Sequence, residues 1–170
     1  LENLEKSTQY ITKISPYILK QSSVKYETST KNTRIFGTDE NYLEMEGMKL
    51  ESGRFISALD IEKNEKVAVV GATIKNKLYD DDNPVGKYIK INGTKFLVIG
   101  CVESVANGME GTNDDMVMLP ISVAQRTLKI TNVTMFLAEA RDGDVIDIAT
   151  QKVKFSLKYC FKHWNIGEPP

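Results

Sequence analysis

The stretch KVAVVGATIKNKLYDDDNPVGKYIKINGTKFLVIGCVES, residues 66–104, decides how this chain folds. It holds the two most apolar strand-like runs, 67–70 and 96–102. Consecutive apolar residues in Val67-Ala68-Val69-Val70 imply a strand buried on both faces. Gly71 then makes a tight turn into a helix, where Ile74 and Leu78, four apart, share one face. Asp80-Asp81-Asp82-Asn83-Pro84 ends that helix, because the residue before a proline is pushed out of helical geometry. Asn83-Pro84-Val85-Gly86 reads as a turn. Asn92-Gly93, between strands at 88–91 and 94–104, is the strongest short-range hairpin signal in the chain.

Outward from this core, 116–119 reads as a strand closed by Pro120, and Ser122 as the cap of a helix carrying Ala124, Gln125 and Leu128. A strand at 133–140 is turned by Arg141-Asp142-Gly143. Val145, Ile148, Val153, Leu157, Cys160, Phe161 and Trp164 keep helical spacing. They predict a long final helix with Asp144 and Asp147 near its positive end and Lys158, Lys162 and His163 near its negative end. Toward the N-terminus, 1–14 reads as a helix stopped by Ser15-Pro16. Extended segments at 17–28 and 33–38 form a hairpin turned at Lys31-Asn32. Asp39 caps a short helix at 41–45 with Gly47 at its end, the segment 50–55 carries Gly53-Arg54-Phe55, and 57–65 is a polar connection. The class is α+β, with short helices on small antiparallel or mixed sheets.

A length of 170 residues suits one compact domain or two small subdomains. Hydrophobic residues at 41% and charged residues at 26% provide for a packed core. A net charge of -1 lacks the basic excess of a nucleic-acid surface. No apolar run reaches the roughly 18–20 residues of a membrane span. The chain begins LENLEKSTQY without a methionine, so it reads as a piece excised from a longer protein. Cys101 lies in an apolar strand and Cys160 on an apolar helix face; both read as buried thiols, bridged only if those elements pack together.

No chemistry stands out. The strand-Gly71-helix sequence resembles the start of a dinucleotide-binding turn, but the further glycines of that fingerprint are missing. Asp80, Asp81 and Asp82 are suited to a hard cation yet lack the alternating ligands, glycine and distant glutamate of a calcium loop, and Asn113-Asp114-Asp115 reads the same way. His163 is the only histidine, so a zinc cluster or a histidine-based triad would have to be built on it alone. No catalytic set, metal or cofactor is expected.

The order of the punctuation is informative. Phe36-Gly37-Thr38-Asp39 with Tyr42 is followed by Glu51-Ser52-Gly53-Arg54-Phe55 and Val67-Ala68-Val69-Val70-Gly71. Then come Leu78-Tyr79, Asn83-Pro84-Val85-Gly86-Lys87, Ile89-Lys90-Ile91-Asn92-Gly93 and Phe96-Leu97-Val98-Ile99-Gly100. Asp114-Asp115-Met116-Val117-Met118-Leu119-Pro120-Ile121 follows, with Ala124-Gln125-Arg126, and the closing helix ending in Lys162-His163 also fits. Over residues 33–163 this order and spacing resembles the extracytoplasmic core domain of ABC transporter permeases of the MacB and FtsX-like type.

The resemblance implies a two-lobed domain: a porter-like lobe from 1–56 and 131–166, an inserted small α/β lobe at 57–130, and a tail at 167–170 toward the next membrane helix. It implies a non-catalytic domain on the outer face of the cell membrane, working with an ABC ATPase subunit, a second permease copy and an adaptor protein. The exported cargo would be a peptide, drug or lipid-linked substrate. Gly37, Gly53, Gly71, Pro84, Gly86, Asn92, Gly93 and Pro120 are the expected structural turns. Two loops are the expected docking surface: Tyr79, Asp80, Asp81, Asp82, Asn83 and Pro84 in one, and Asn107, Gly108, Met109 and Glu110 in the other. The competing reading is a freestanding secreted module of the same fold, such as a regulator of a cell-wall hydrolase.

Overall fold

The apolar run at 67–70 forms a four-residue strand with every residue buried, as consecutive rather than alternating apolar residues require. The structure, a computed structural model, describes residues 11–104 and 114–140. Expectations for residues 1–10, the loop at 105–113 and the C-terminal segment from 141, with its helix, Cys160 and His163, lie outside the described residues.

The order of elements is β1 (Ile11–Tyr26), β2 (Ser29–Thr38), α1 (Tyr42–Met45), β3 (Leu50–Gly53), α2 (Ala58–Glu62), β4 (Val67–Val70), α3 (Ala72–Tyr79), β5 (Tyr88–Ile91), β6 (Thr94–Val102), β7 (Met116–Pro120), α4 (Ile121–Leu128) and β8 (Met135–Ala140). Mixed helix and strand content makes the class α+β. Two compact units are present, Ser15–Phe136 and, separately, 1–14 with 137–170. Both boundaries of the expected inserted lobe fall inside the first unit. In the second unit Thr12 Oγ1 donates to the Glu139 carbonyl at 3.2 Å and to its carboxylate at 3.1 Å.

Within Ser15–Phe136 the strand pairings close on themselves. Starting from β2 the order runs β7, β4, β6, β5 and β1, and β1 pairs back onto β2. The β2–β7 and β4–β6 ladders are parallel; β1–β2, β4–β7, β5–β6 and β1–β5 are antiparallel. β6 carries a third partner, β3. Alternate residues of these strands serve two apolar surfaces. Ile35, Ala68, Val70, Val98, Val117 and Leu119 join Ile74 and Leu78 of α3 and Val123, Ala124 and Leu128 of α4 in one cluster. Their neighbours Phe36, Val67, Val69, Ile99, Met116 and Met118 are buried as well.

The elements from β4 to β7 fall where the sequence puts them, as do α4 and, within two residues, β8. Five other expectations about these elements fail. Residues 11–14 are strand, not helix: the β-branched Ile11, Thr12 and Ile14 favour extended backbone, and Pro16 is tolerated because the ladder to β2 begins only at Ile18. The hairpin turns at Glu27-Thr28, with Glu27 at φ 49°, and Lys31 and Asn32 sit inside β2 opposite Val24 and Ser23. Burial of Val24, Thr33 and Ile35 fixes that register.

The helix caps are also reassigned. Asp39 accepts the backbone N–H of Asn41 at 3.2 Å but caps no helix, since Asn41 is the residue at the N-cap of α1. Ser122 lies inside α4 and donates to the Ile61 carbonyl at 3.3 Å; Pro120 holds the cap position.

The stretch 57–65 contains α2. Its start is a capping box made with aspartate: Ser57 Oγ accepts the Asp60 backbone N–H at 3.4 Å, and Asp60 Oδ2 accepts the Ser57 N–H at 2.8 Å. Arg54 clamps the same carboxylate with two hydrogen bonds, 2.6 and 2.9 Å. That guanidinium, with the Ser57 donors, holds the Asp60 carboxyl well below the usual carboxylate range. Cys101 is a free, fully buried thiol in β6, and burial, with Glu51 close by, pushes it up to about 12.

Asp60 is depressed on folding, so its contribution is complete above about pH 5 and is lost as the pH falls below about 4, where the unfolded carboxyl takes a proton first. Asp60→Asn removes cap and clamp together and is expected to cost about 2 kcal/mol at pH 7. Denaturant melts across pH 2–7 should show the variant's deficit shrinking toward low pH. Burial keeps the Cys101 thiol protonated and out of reach, so a Cys160→Ser variant should react with a thiol reagent only after denaturant is added. Rapid labelling of the native protein would contradict the burial.

Candidate functional site

The expected docking turn begins at the end of α3. Asp80 and Asp81 take left-handed conformations, φ 50° and 65°, which stop the helix, and Asp82 N–H donates back to the Tyr79 carbonyl at 2.9 Å. Asn83 Oδ1 accepts the Val85 N–H at 3.1 Å, so the side chain holds the turn that Pro84 begins. Gly86 N–H donates to the Val98 carbonyl at 2.8 Å, and Val98 N–H to the Lys87 carbonyl at 2.9 Å, tying the turn to β6. Asp80, Asp81, Asp82 and Asn83 are exposed and could meet a partner. Tyr79 and Pro84 are buried and could not, which corrects their assignment to the surface. Asn107, Gly108, Met109 and Glu110 lie outside the described residues.

Tyr79 is buried because an aromatic wall needs it. Its ring centroid is 4.2 Å from that of Tyr26, and its hydroxyl has no hydrogen-bond partner. Burial pushes that phenol above its ordinary value. The Lys87 ammonium lies 5.3 Å from the Tyr79 ring and 6.0 Å from the Tyr26 ring, within cation–π range, and 3.4 Å from Asp82 Oδ2.

Beside this wall is a groove of about 460 Å³. Lys25, Tyr26, Lys87, Tyr88, Lys90 and Lys95 line it. Register creates it: Lys25 stands opposite Lys90 across β1–β5, and Lys90 opposite Lys95 across β5–β6. Neighbouring strands lie about 4.8 Å apart, so three lysines form a row about 10 Å long. Half of this row was readable: a two-residue Asn92-Gly93 turn pairs Lys90 with Lys95. Lys25 joins through a ladder to a strand 65 positions away, which no local pattern announces.

The other predicted residues do structural work. Gly71 N–H donates to the Met116 carbonyl at 2.9 Å and Thr73 N–H to the Asp114 carbonyl at 3.0 Å. A Cβ on Gly71 would strike the Asp114 carbonyl. The first amides of α3 thus serve β7 and its approach, where a dinucleotide site would present them to phosphate. Gly37 sits inside β2, not at a turn, because Ala124 of α4 and Ile18 of β1 crowd the space a side chain would need. Gly53 ends β3 at φ 76°, against the Ile99 carbonyl. Gly86, Asn92 and Gly93 lie in turns, and Pro120 joins β7 to α4. Among the described residues no three of His, Cys, Asp and Glu come together as a metal-holding group, and no helix is long and apolar enough to cross a membrane.

Comparison with known proteins bears on the whole chain. The family model of the MacB-like periplasmic core domain matches residues 1–154. A macrolide export ATP-binding/permease protein MacB from Chlorobium luteolum is 32% identical over 123 residues, covering 72% of this chain and 18% of that protein. Its counterpart from Neisseria gonorrhoeae is 28% identical over 110 residues, 65% of this chain and 17% of that protein. The chain therefore spans under a fifth of the length of these curated relatives.

Solved structures share the fold. The periplasmic region of MacB from Actinobacillus actinomycetemcomitans superposes with a TM-score of 0.77 at 20% identity, covering 94% of this chain and 72% of that one. The extracellular domain of the noncanonic ABC-type transporter YknZ from Gram-positive bacteria gives 0.74 at 13% identity, covering 87% and 76%. With a family match that runs over nearly all of its length, the chain belongs to the MacB-like periplasmic core domains.

Proposed function

We propose that this chain is the outward-facing domain of a MacB-like ABC export permease, and that it passes ATP-driven movement of the membrane helices to cargo or to an adaptor. The family match over residues 1–154 carries the reading. The closed strand circuit supports it, since a body whose strands all brace one another moves as a unit. In this reading the domain is non-catalytic and sits on the extracytoplasmic face. ATP hydrolysis belongs to a cytoplasmic subunit or domain, a second permease copy completes the transporter, and a macrolide, peptide or lipid-linked molecule is exported.

The relay can be separated from the rest. In the full-length permease, flexible Gly-Ser linkers inserted at both ends of this segment should leave ATP hydrolysis running and abolish export, read as restored sensitivity to macrolides and antimicrobial peptides in cells. Export that survives both linkers would sink the relay. Deleting the gene without any change in sensitivity to either class would count against efflux as the task.

A further inference from the structure

Like charges placed directly opposite one another in a sheet destabilise it. The row Lys25–Lys90–Lys95 repeats that arrangement across two ladders. Acidic partners do not relieve it: among the described residues no ion pair reaches Lys25, Lys90 or Lys95, while Lys31, Arg54, Lys75 and Lys87 are each paired with a carboxylate. The Lys95 ammonium instead lies 4.1 Å over the ring of Tyr88, which is 47% exposed. The residue opposite Lys25 on its other side is the uncharged Thr30. The one carboxylate bordering the groove, Glu27, is exposed in the turn after β1. Three exposed cations with no anion of their own, next to an aromatic wall, describe a surface waiting for negative charge.

We propose that this groove docks an acidic segment of a partner polypeptide, with successive carboxylates along the lysine row and the segment bordered by Tyr26 and Tyr88. Shape and charge together favour a polypeptide over an anionic lipid surface. The exposed Glu27 carboxylate borders the groove, and Lys87, which lines it beside the row, reaches the exposed Asp82 at 3.4 Å. A flat anionic membrane meeting the row would also meet those carboxylates, whereas a narrow chain can follow the row and leave them in water. The groove's chemistry is independent of how the domain is coupled to a transporter, so the linker experiment and the one below can fail separately.

The test uses the 170-residue chain and fluorescein-labelled hexa-glutamate, with hexa-glutamine as the neutral control, read by anisotropy. Hexa-glutamate should bind, more weakly as salt rises, and hexa-glutamine should not. Replacing Lys25, Lys90 and Lys95 by Gln should weaken binding about tenfold, the sum of three exposed ion pairs. The double variant Lys25→Gln, Lys90→Gln, which keeps the Lys95–Tyr88 contact, should melt no lower than the wild type, since it relieves repulsion; lysines kept for stability would show the opposite. A charge-matched variant with Lys63, Lys66 and Lys77 changed to Gln should bind as the wild type does. Equal binding of the two peptides, or equal loss in the control variant, would overturn the proposal. So would binding to phosphatidylglycerol vesicles, lost in the triple variant, without binding to the peptide.

Discussion

Every buried peptide group must find a hydrogen-bond partner, and in this domain β6 is where that demand is met most densely. Its first residues pair with β5, its middle with β4 and its end with β3. The chain accommodates three partners by placing Gly100 where the Arg54 carbonyl approaches and Gly53 where the Ile99 carbonyl does. Backbones this close leave no room for side chains, so the packing is set by main chain as much as by the apolar clusters on either side. The Arg54–Asp60 clamp belongs to the same arrangement. Arg54 N–H donates to the Ile99 carbonyl at 2.8 Å while its guanidinium fixes the start of α2, so one residue ties the connection to the central strand.

Legibility followed the range of the forces involved. From β4 to β7 the local signals agree with one another: apolar runs, a Gly turn, an Asp-rich helix stop and Asn92-Gly93 all act within a few residues. Before residue 30 they do not. The hairpin turn at Glu27-Thr28 carries weak turn residues, and only the burial of Val24, Thr33 and Ile35 in the finished circuit selects that register. The helix at Ala58–Glu62 was hidden for another reason. Its capping box uses Asp60 in place of the usual Glu or Gln, and Asp60 is stabilised by Arg54, a residue outside the helix.

The candidate surfaces divide in the same way. The exposure of Asp80–Asn83 follows from a polar run before a proline and was readable. The burial of Tyr79 depends on Tyr26, which sits at the far end of an early strand, and no spacing rule connects them. Family resemblance supplied the fold where periodicity could not. It said nothing of the lysine row, because side-chain chemistry on a shared scaffold changes without moving the turns.

The circuit of β1, β2, β7, β4, β6 and β5 also limits how anything can attach to this unit. Many partners bind sheets by adding a strand of their own to an unpaired border, borrowing main-chain hydrogen bonds. In the ring each strand already has a neighbour on either side, and the places where a further strand does add, on β6 and on β1, are taken by β3 and β8 of the same chain. Recognition on these six strands is therefore left to side chains and turns, which can diverge from one transporter to the next while the ring beneath them stays the same.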